Sequence, residues 1–355
     1  MRSDLAPWRL GPQLLAADPP GRPRPDTPAG PSGRPRPDTP AGVVRHFGAV
    51  QSQEHLWAPW AVGRRCGATF TEVLDGLWPA GVVRTHVLRT TWHYVHTADL
   101  PYAIAATSDR VMRQVLATMR RAGLDEARLL AASEVVTQAV RERPGCTRDH
   151  IAERLREAGY EEKSSRLAHV VMTAELRGEI GGERRPGQHE YYPLELAPLP
   201  SFDDSLAWLA RTYARGHGPF TAHDLAWWSS LTVCQARTAI ELADLRPATV
   251  AGQDLWSLGE PVLVDVPPVL LLPNFDEVIS HVRDATVRAD VGPGYDEAMF
   301  ATGLLFLDGR LCGHWRRTVT GDQVAVETTA NRDLTTSERR HLTAEIDRFR
   351  AFVTG

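Results

Sequence analysis

The sequence HFGAVQSQ at residues 46–53 places two glutamines, Gln51 and Gln53, one residue apart. A glutamine amide has a carbonyl acceptor and two N–H donors, but no proton that titrates near neutral pH. Side chains two residues apart in an extended segment face the same side, so the glutamines are expected to point together into a cleft. Val50 and Ser52 would then point away. This pattern predicts a site that positions water or a base edge without acid–base chemistry.

Two short motifs follow the glutamines, and four further segments are spread over most of the chain. The motifs are Trp57-Ala58-Pro59-Trp60 and Arg64-Arg65, and the segments are Arg89–His93, Gly218–Trp228, Leu271–Asp276 and Leu307–Arg316. With these motifs and segments in this order, the sequence resembles the winged-helix DNA-binding superfamily of bacterial alkylpurine DNA glycosylases. Those enzymes unhook bulky adducts and interstrand crosslinks with a Gln-x-Gln motif. The middle residue is aliphatic in the best-matched enzymes and is Ser52 here, which changes the packing that orients the two amides.

The resemblance implies an α+β fold in which tandem winged-helix domains are followed by a small C-terminal β-barrel, in a C-shaped DNA-binding architecture. The first winged-helix-like domain would span residues 1–120 and carry the Gln-x-Gln motif, with a disordered proline-rich insertion at 19–42. The other units would be a second winged helix at 121–200, a third at 201–260, and the β-barrel with a C-terminal helix at 261–355.

Residue patterns predict the elements of the second and third winged helices. In order, these are a helix over Glu126–Arg141, a helix capped by Thr147, strands at Glu179–Ile180 and Glu190–Tyr192, a helix over Asp203–Tyr213, capping pairs Thr221/Asp224 and Thr232/Gln235, and a hairpin from Ala248–Val250 to Leu255–Leu258. The hairpin at 179–192 carries Arg184 and Arg185 at its tip. Arginines there are explained equally well by phosphate contact and by solubility.

From Pro261 onward, short β-rich runs separated by turn signals predict the barrel. The predicted strands are Val262–Val266, Val269–Leu272, Gly303–Leu307 and Gln323–Glu327, and a helix over Ser337–Phe352 closes the chain. Trp227 and Trp228 are predicted to pack in the core and between domains, because exposed aromatic side chains of this size are uncommon.

An exact repeat lies near the N-terminus, where Gly21–Gly30 and Gly33–Gly42 both read GRPRPDTPAG. Its prolines exclude a helix or a central strand, and it has no apolar residues to bury, so a mobile linker is expected. A DNA-contacting arm and a tolerated loop insertion are both consistent with it, and the insertion is favoured because loops lengthen at little entropic penalty.

Composition describes a globular protein of 355 residues with a net charge of −4. DNA binding would therefore need local basic patches, since the whole chain is not basic. Lys163 is the only lysine, and GC-rich coding explains this arginine bias without any function. With no signal-peptide or membrane-spanning run, and four cysteines far apart, we expect a cytoplasmic protein without disulfides.

The chemistry implied by the resemblance is hydrolysis of the N-glycosidic bond of alkylated purines of the N7-alkylguanine type. Such a base is already positively charged and leaves without strong general-acid help, so neutral amides suffice to hold water beside an oxocarbenium-like transition state. Gln51 and Gln53 are therefore the expected catalytic residues. A bulky or crosslinked base does not enter an ordinary flipping pocket, so we expect an open cleft and no deep nucleobase pocket.

Basic residues of the matching segments are the candidate DNA contacts: Arg64, Arg65, Arg89, His93, Arg184, Arg185, Arg316 and Arg317. Arg89 and His93 could equally form a structural hydrogen-bonded pair. His86, His93 and His96 are not expected to bind a metal, since strand geometry separates the last two and no carboxylate or cysteine completes a set. Asp276 could supply a carboxylate as in conventional glycosylases, but a structural role as a cap or turn residue is favoured.

We therefore expect a monomer that needs no metal or other cofactor and acts on double-stranded DNA containing alkylated purines or crosslinks, including those made by a genotoxic natural product. Two other functions remain open from sequence. One is a winged-helix regulator that binds DNA without catalysis, which would need a dimer on a palindrome. The other is a protein-interaction module that has lost DNA binding, for which an acidic cleft would be the sign.

Overall fold

A computed structural model describes residues 5–16, 37–160, 164–185, 188–281, 302–321 and 323–355. Most of the predicted insertion, residues 19–36, lies outside this part of the chain. Its last residues form the start of helix α2 (Pro40–Phe47), whose N-cap Thr39 accepts a hydrogen bond from Gly42 N at 3.1 Å. The expectation of irregular chain up to residue 42 was wrong there, because a threonine cap followed by proline favours a helix start.

A six-stranded antiparallel sheet joins the first two predicted units. Its strands are β1 (Val50–Gln51), β2 (Val82–His86), β3 (Trp92–His96), β4 (Cys146–Thr147), β5 (Ile180–Arg185) and β6 (Gln188–Pro193), in the spatial order β1-β3-β2-β5-β6-β4. The predicted hairpin at 179–192 is confirmed as β5 and β6. Arg84 of β2 pairs with Gly182 of β5, so this hairpin continues the sheet that carries the glutamines.

Helices cover this sheet and lead to a third helical unit. They are α1 (Ala6–Arg9), α3 (Ala58–Cys66), α4 (Phe70–Leu77), α5 (Leu100–Arg121), α6 (Glu126–Glu142), α7 (Arg148–Glu157), α8 (Ser164–Leu176), α9 (Phe202–His217), α10 (Ala222–Ser229) and α11 (Val233–Leu242). Both predicted capping boxes, at the starts of α10 and α11, are present. The predicted hairpin after α11 is confirmed as β7 (Arg246–Val250) and β8 (Gln253–Ser257).

The C-terminal strands form a four-stranded antiparallel sheet, β12-β11-β10-β9, and the described residues contain no closed barrel. The strands are β9 (Val269–Leu272), β10 (Gly303–Leu307), β11 (Arg310–Thr320) and β12 (Gln323–Ala330), and helix α12 (Thr336–Thr354) follows. The predicted strand Val262–Val266 was wrong. Prolines flank it on both sides and cannot donate to a sheet, and the segment makes one backbone bond, from Val264 N to Pro7 O.

One hydrophobic core joins the glutamine strand to the C-terminal unit. It packs Phe47 and Val50 with Trp60 of α3, Trp315 of β11 and Phe349 of α12. The indole N–H of Trp60 also donates to the backbone oxygen of Leu271, at 2.8 Å. The two ends of the chain therefore build one scaffold under the Gln-x-Gln motif. Within the described ranges, no helix has the length and apolarity needed to cross a membrane.

Candidate active site

The Gln-x-Gln motif lies at the edge of the six-stranded sheet. Gln51 pairs with His93 of β3, and Ser52 N donates to Trp92 O at 2.8 Å. Val50 is 2% and Ser52 0% exposed, whereas Gln51 and Gln53 are each half-buried. The predicted alternation is therefore present, and both glutamines reach the surface from a buried support.

The two glutamine amides have different surroundings. The Gln53 Oε1 accepts a hydrogen bond from Trp92 N at 3.3 Å, which fixes the direction of that amide. The Gln51 amide makes no hydrogen bond to any residue in the described part of the chain. One amide is thus held by the neighbouring strand, and the other is available to a water molecule or a substrate atom.

Ser52 takes the place of an aliphatic residue and behaves like one in its packing. Its hydroxyl is buried and has no hydrogen-bond partner among the described residues. Its backbone oxygen accepts from Arg84 Nε at 3.1 Å and from Arg84 Nη2 at 3.0 Å. The Arg84 guanidinium also lies 4.1 Å from the centre of the Trp92 ring. Arg84 therefore holds the backbone of Ser52, while the Ser52 side chain points away from the surface.

A buried carboxylate, that of Glu277, holds the backbone of Gln51. Its Oε1 accepts from Gln51 N at 2.8 Å, and its side chain is 1% exposed. Its Oε2 accepts hydrogen bonds from His217 Nε2 at 2.9 Å, Ser280 Oγ at 3.1 Å and Trp228 Nε1 at 3.2 Å. Burial alone would raise the pKa of Glu277, but the hydrogen bond and charge of His217 lower it to about 2. The carboxylate stays ionised at physiological pH.

His93 lies beside Gln51 on the neighbouring strand β3 and is fully buried, so the expectation that it contacts DNA was wrong. Its Nδ1–H donates to Thr91 O at 2.9 Å, and its Nε2 accepts from Arg89 Nη2 at 3.4 Å. This is the structural pair that the sequence left open. Burial, aided by the charge of Arg89, lowers the pKa of His93 to about 3, so the imidazole is neutral.

Arg64 and Arg65 were also wrongly expected to contact DNA, because both are buried in the core. Arg64 pairs with Glu345 of α12 at 3.1 Å and is 5% exposed, and Arg65 pairs with Asp276 at 2.7 Å and is 1% exposed. Their carboxylate partners come from distant parts of the chain. Asp276 also accepts from Val278 N at 2.9 Å, which confirms its predicted role as a cap.

The other candidate DNA contacts have different surroundings. Arg316 is exposed on β11, and Arg317 is half-buried with its guanidinium 4.3 Å from the centre of the Trp57 ring. The backbones of Arg184 and Arg185 end strand β5, but their side chains lie outside the described residues. Arg89 packs on Trp227, with 5.2 Å between its guanidinium carbon and the ring centre.

A cavity of about 440 Å³ opens beside Gln53, between β3, the hairpin and the start of α7. Polar side chains and two aromatic rings line it: Gln53, His55, Arg84, Trp92, Thr147, Arg148, Asp149, Gln188, His189 and Tyr191. Gln51 is not part of the lining. In the described portion of the chain, no group of three His, Cys, Asp or Glu side chains is placed to hold a metal.

Comparison with known proteins identifies the family. The family model for AlkZ-like DNA glycosylases matches residues 44–352. The chain belongs to the AlkZ-like DNA glycosylase family. The solved structure of Streptomyces sahachiroi DNA glycosylase AlkZ is similar in fold, with a TM-score of 0.73 and 19% identity over 99% of this chain and 96% of that chain. No curated protein matches the sequence.

This AlkZ-like protein is thus a DNA glycosylase, a hydrolase of N-glycosyl bonds that acts in DNA repair. The catalytic role of the glutamine pair stays a prediction, and the sequence did not indicate the residues that surround its backbone, Glu277, Arg84 and His217. Glu277 follows directly on the matched segment Leu271–Asp276, and this adjacency was the only signal for it. Of the tryptophan pair, Trp228 is fully buried as predicted, whereas Trp227 is 42% exposed and lies outside the core, in contact with Arg89 of the first predicted unit.

Proposed function

We propose that this glycosylase removes alkylated purines of the N7-alkylguanine type from double-stranded DNA, and that it unhooks bulky adducts and interstrand crosslinks. Gln51 and Gln53 are the catalytic residues. One observation carries the proposal: two half-buried neutral amides, two residues apart, lie at the edge of the sheet, one held by Trp92 N and the other without a hydrogen bond to any described residue. Neutral amides suit a leaving base that needs no proton.

The cationic base and the two amides have different roles in the reaction. The electron pair of the C1′–N9 bond leaves with the base and neutralises the charge of the alkylated imidazole ring. Positive charge develops on the sugar, water oxygen bonds to C1′, and the surplus proton of that water passes to solvent. The Gln51 carbonyl accepts a hydrogen bond from the water. Gln53, whose Oε1 already accepts from Trp92 N, presents its NH₂ group to the substrate or the same water.

The surroundings of Gln53 suit a large lesion. The cavity beside it is open and polar, so an adduct attached to the base can extend into it without leaving the DNA groove. We propose that Arg316 and the hairpin arginines Arg184 and Arg185 contact DNA phosphates on either side of the lesion. We also propose that the enzyme acts as a monomer. Arg64 and Arg65 take no part, because both are buried in ion pairs.

Base release from duplex DNA tests the function. The substrates are one N7-methylguanine duplex and one duplex with a purine–purine interstrand crosslink, and the proteins are native enzyme, the Gln51→Ala Gln53→Ala double variant and Gln138→Ala. Gln138 is an exposed glutamine on α6 and serves as the matched control. We expect release by the native enzyme and the control, and at least about a 100-fold slower rate in the double variant.

Binding of intact duplex, measured separately, interprets the result. If the double variant binds DNA normally but releases no base, the glutamines carry the chemistry. Release by the double variant at the native rate would exclude them. Native enzyme that binds but releases base from neither substrate would exclude alkylated purines of these two kinds. Sedimentation with and without DNA checks the monomer.

A further inference from the structure

The backbone N–H of Gln51 lies at the open edge of the six-stranded sheet. Among the described strands, β1 is the outermost of its sheet and pairs with β3 alone. Neighbouring N–H groups of a strand point in opposite directions, and Ser52 N already donates to Trp92 on β3. The N–H of Gln51 therefore points away from the sheet. In place of a further strand, the Glu277 carboxylate meets it at 2.8 Å.

The Glu277 carboxylate is held in place by its own partners. Three donors from different segments converge on its second oxygen: His217 from α9, Trp228 from α10 and Ser280 from the turn after Glu277. The His217 ring is itself stacked on Tyr213, with 4.4 Å between ring centres and 11° between planes. A buried carboxylate with both oxygens occupied has little freedom to move, so it fixes whatever donor it faces.

Arg84 holds the other side of the same motif. It donates twice to the backbone oxygen of Ser52, while Glu277 accepts from the backbone of Gln51. Two buried ions of opposite charge thus hold the backbones of the consecutive residues Gln51 and Ser52, one on each side of the peptide group that joins them. The directions of the Gln51 and Gln53 side chains follow from the backbone angles of this segment, since Cβ directions are set by the backbone.

We propose that Glu277 is a positioning residue: its carboxylate, held by His217, Trp228 and Ser280, fixes the Gln51 amide in its productive orientation through the Gln51 backbone N–H. The inference rests on the proposed function, in which Gln51 holds the water. A role in stability alone would need a buried, satisfied carboxylate, but would not require that it contact the backbone of the Gln-x-Gln motif.

Glu277→Gln is the decisive variant because it is nearly isosteric. An amide has one oxygen and one NH₂ group, so it cannot accept from Gln51 N and from the three donors on the other side at once. We expect a 10- to 100-fold fall in kcat for base release, consistent with the effect of displacing a reacting group by about 1 Å. DNA affinity should stay within about 2-fold, since Glu277 is buried away from solvent.

Glu345→Gln is the matched control, since Glu345 is also a buried carboxylate but pairs with Arg64. It should lower Tm and leave kcat per folded molecule unchanged. Trp228→Phe keeps a ring in the core and removes one donor from the same Glu277 oxygen. We expect a loss of about 2- to 5-fold in kcat from it, which keeps the test available if Glu277→Gln does not fold.

A double-mutant cycle with Gln51→Ala separates positioning from other roles. If Glu277 acts through Gln51, adding Glu277→Gln to Gln51→Ala causes no further loss of kcat. Additive losses, or native kcat in Glu277→Gln and Trp228→Phe, would overturn the inference while the proposed function stands. Native activity of Gln51→Ala would instead overturn the proposed role of that glutamine and the inference with it. Faster hydrogen exchange of the Gln51 amide in Glu277→Gln is the expected second readout.

Discussion

Two adjacent carboxylates of one turn serve two different regions of the molecule. Asp276 pairs with Arg65 of helix α3, inside the scaffold, and Glu277 holds Gln51 of strand β1, at the candidate active site. Both are 1% exposed, and both accept hydrogen bonds from protein groups in place of water. A buried carboxylate therefore stabilises the fold at Asp276, and in our proposal the next one, Glu277, positions the Gln51 amide. Stability and catalysis should be separable by substituting one or the other.

Loss of Asp276 should have the largest effect on the scaffold. Asp276→Ala leaves the Arg65 guanidinium buried without its carboxylate, which destabilises a fold by about 3–5 kcal/mol. Denaturant unfolding measures the loss, and base release per folded molecule at low temperature should stay near the native rate. A fall in kcat as large as that of Glu277→Gln would mean that the two carboxylates do not divide their roles.

A fall in pH should lower the stability of the fold before it changes the rate of base release. The pKa of His93 is lowered to about 3, below that of an unfolded histidine, so acid protonates the unfolded chain first and stability falls as pH drops below about 6.5. By pH 4 this amounts to about 3 kcal/mol from His93 alone. His46 and His281, whose burial lowers each pKa to about 4, act in the same direction.

The rate of base release per folded molecule should not depend on pH between about 5 and 8. Gln51 and Gln53 do not titrate, and the pKa of Glu277 is lowered to about 2. Single-turnover base release from about pH 5 to 8, normalised to folded protein by circular dichroism, is expected to be flat. A bell-shaped profile would reveal an acid or base that the glutamine mechanism lacks.

Ser52→Ala tests the support beneath the glutamines and should have a smaller effect. The Ser52 hydroxyl is buried without a partner among the described residues, and alanine removes that unsatisfied donor without adding volume. We expect a stabilisation of about 1 kcal/mol and unchanged base release. A clear change in kcat at unchanged stability would show that the hydroxyl takes part in orienting the amides.

Arg316→Ala should have the smallest effect and concerns only DNA affinity. Arg316 is exposed, unlike Arg64 and Arg65, so its loss should leave stability unchanged. Removing one phosphate contact should weaken duplex binding a few-fold and lower the slope of log K against log salt by about 0.9. Arg340→Ala, an exposed arginine on α12, controls for the change in net charge. Equal losses in both variants would argue against a contact at Arg316.

Local sequence predicted the features that depend on neighbouring residues. The capping boxes at Thr221 and Thr232 and the alternation around Gln51 and Gln53 involve groups within three residues of each other. Trp227 lies outside the core for a local reason as well. Successive residues of a helix point about 100° apart, so Trp227 and Trp228 could not both face one core.

Long-range pairing accounts for the errors at Arg64 and Arg65. An Arg-Arg pair looks like a surface patch until its carboxylates are known, and those of Arg64 and Arg65 come from Glu345 and Asp276 near the other end of the chain. The bond from Gln51 to Glu277 likewise spans most of the sequence. Charge patterns along the chain do not report such partners, because tertiary contact creates them.

The threonine–proline start of helix α2 gives the N-terminal repeat an evolutionary meaning. Thr39-Pro40-Ala41-Gly42, which starts that helix, is an exact copy of Thr27-Pro28-Ala29-Gly30. Removing Pro31–Gly42, the second copy with its spacer, would therefore leave the same four residues in front of Val43, and further duplication would do so too. The number of copies can drift from one descendant to the next by replication slippage, while the helix that precedes the glutamines keeps its first turn.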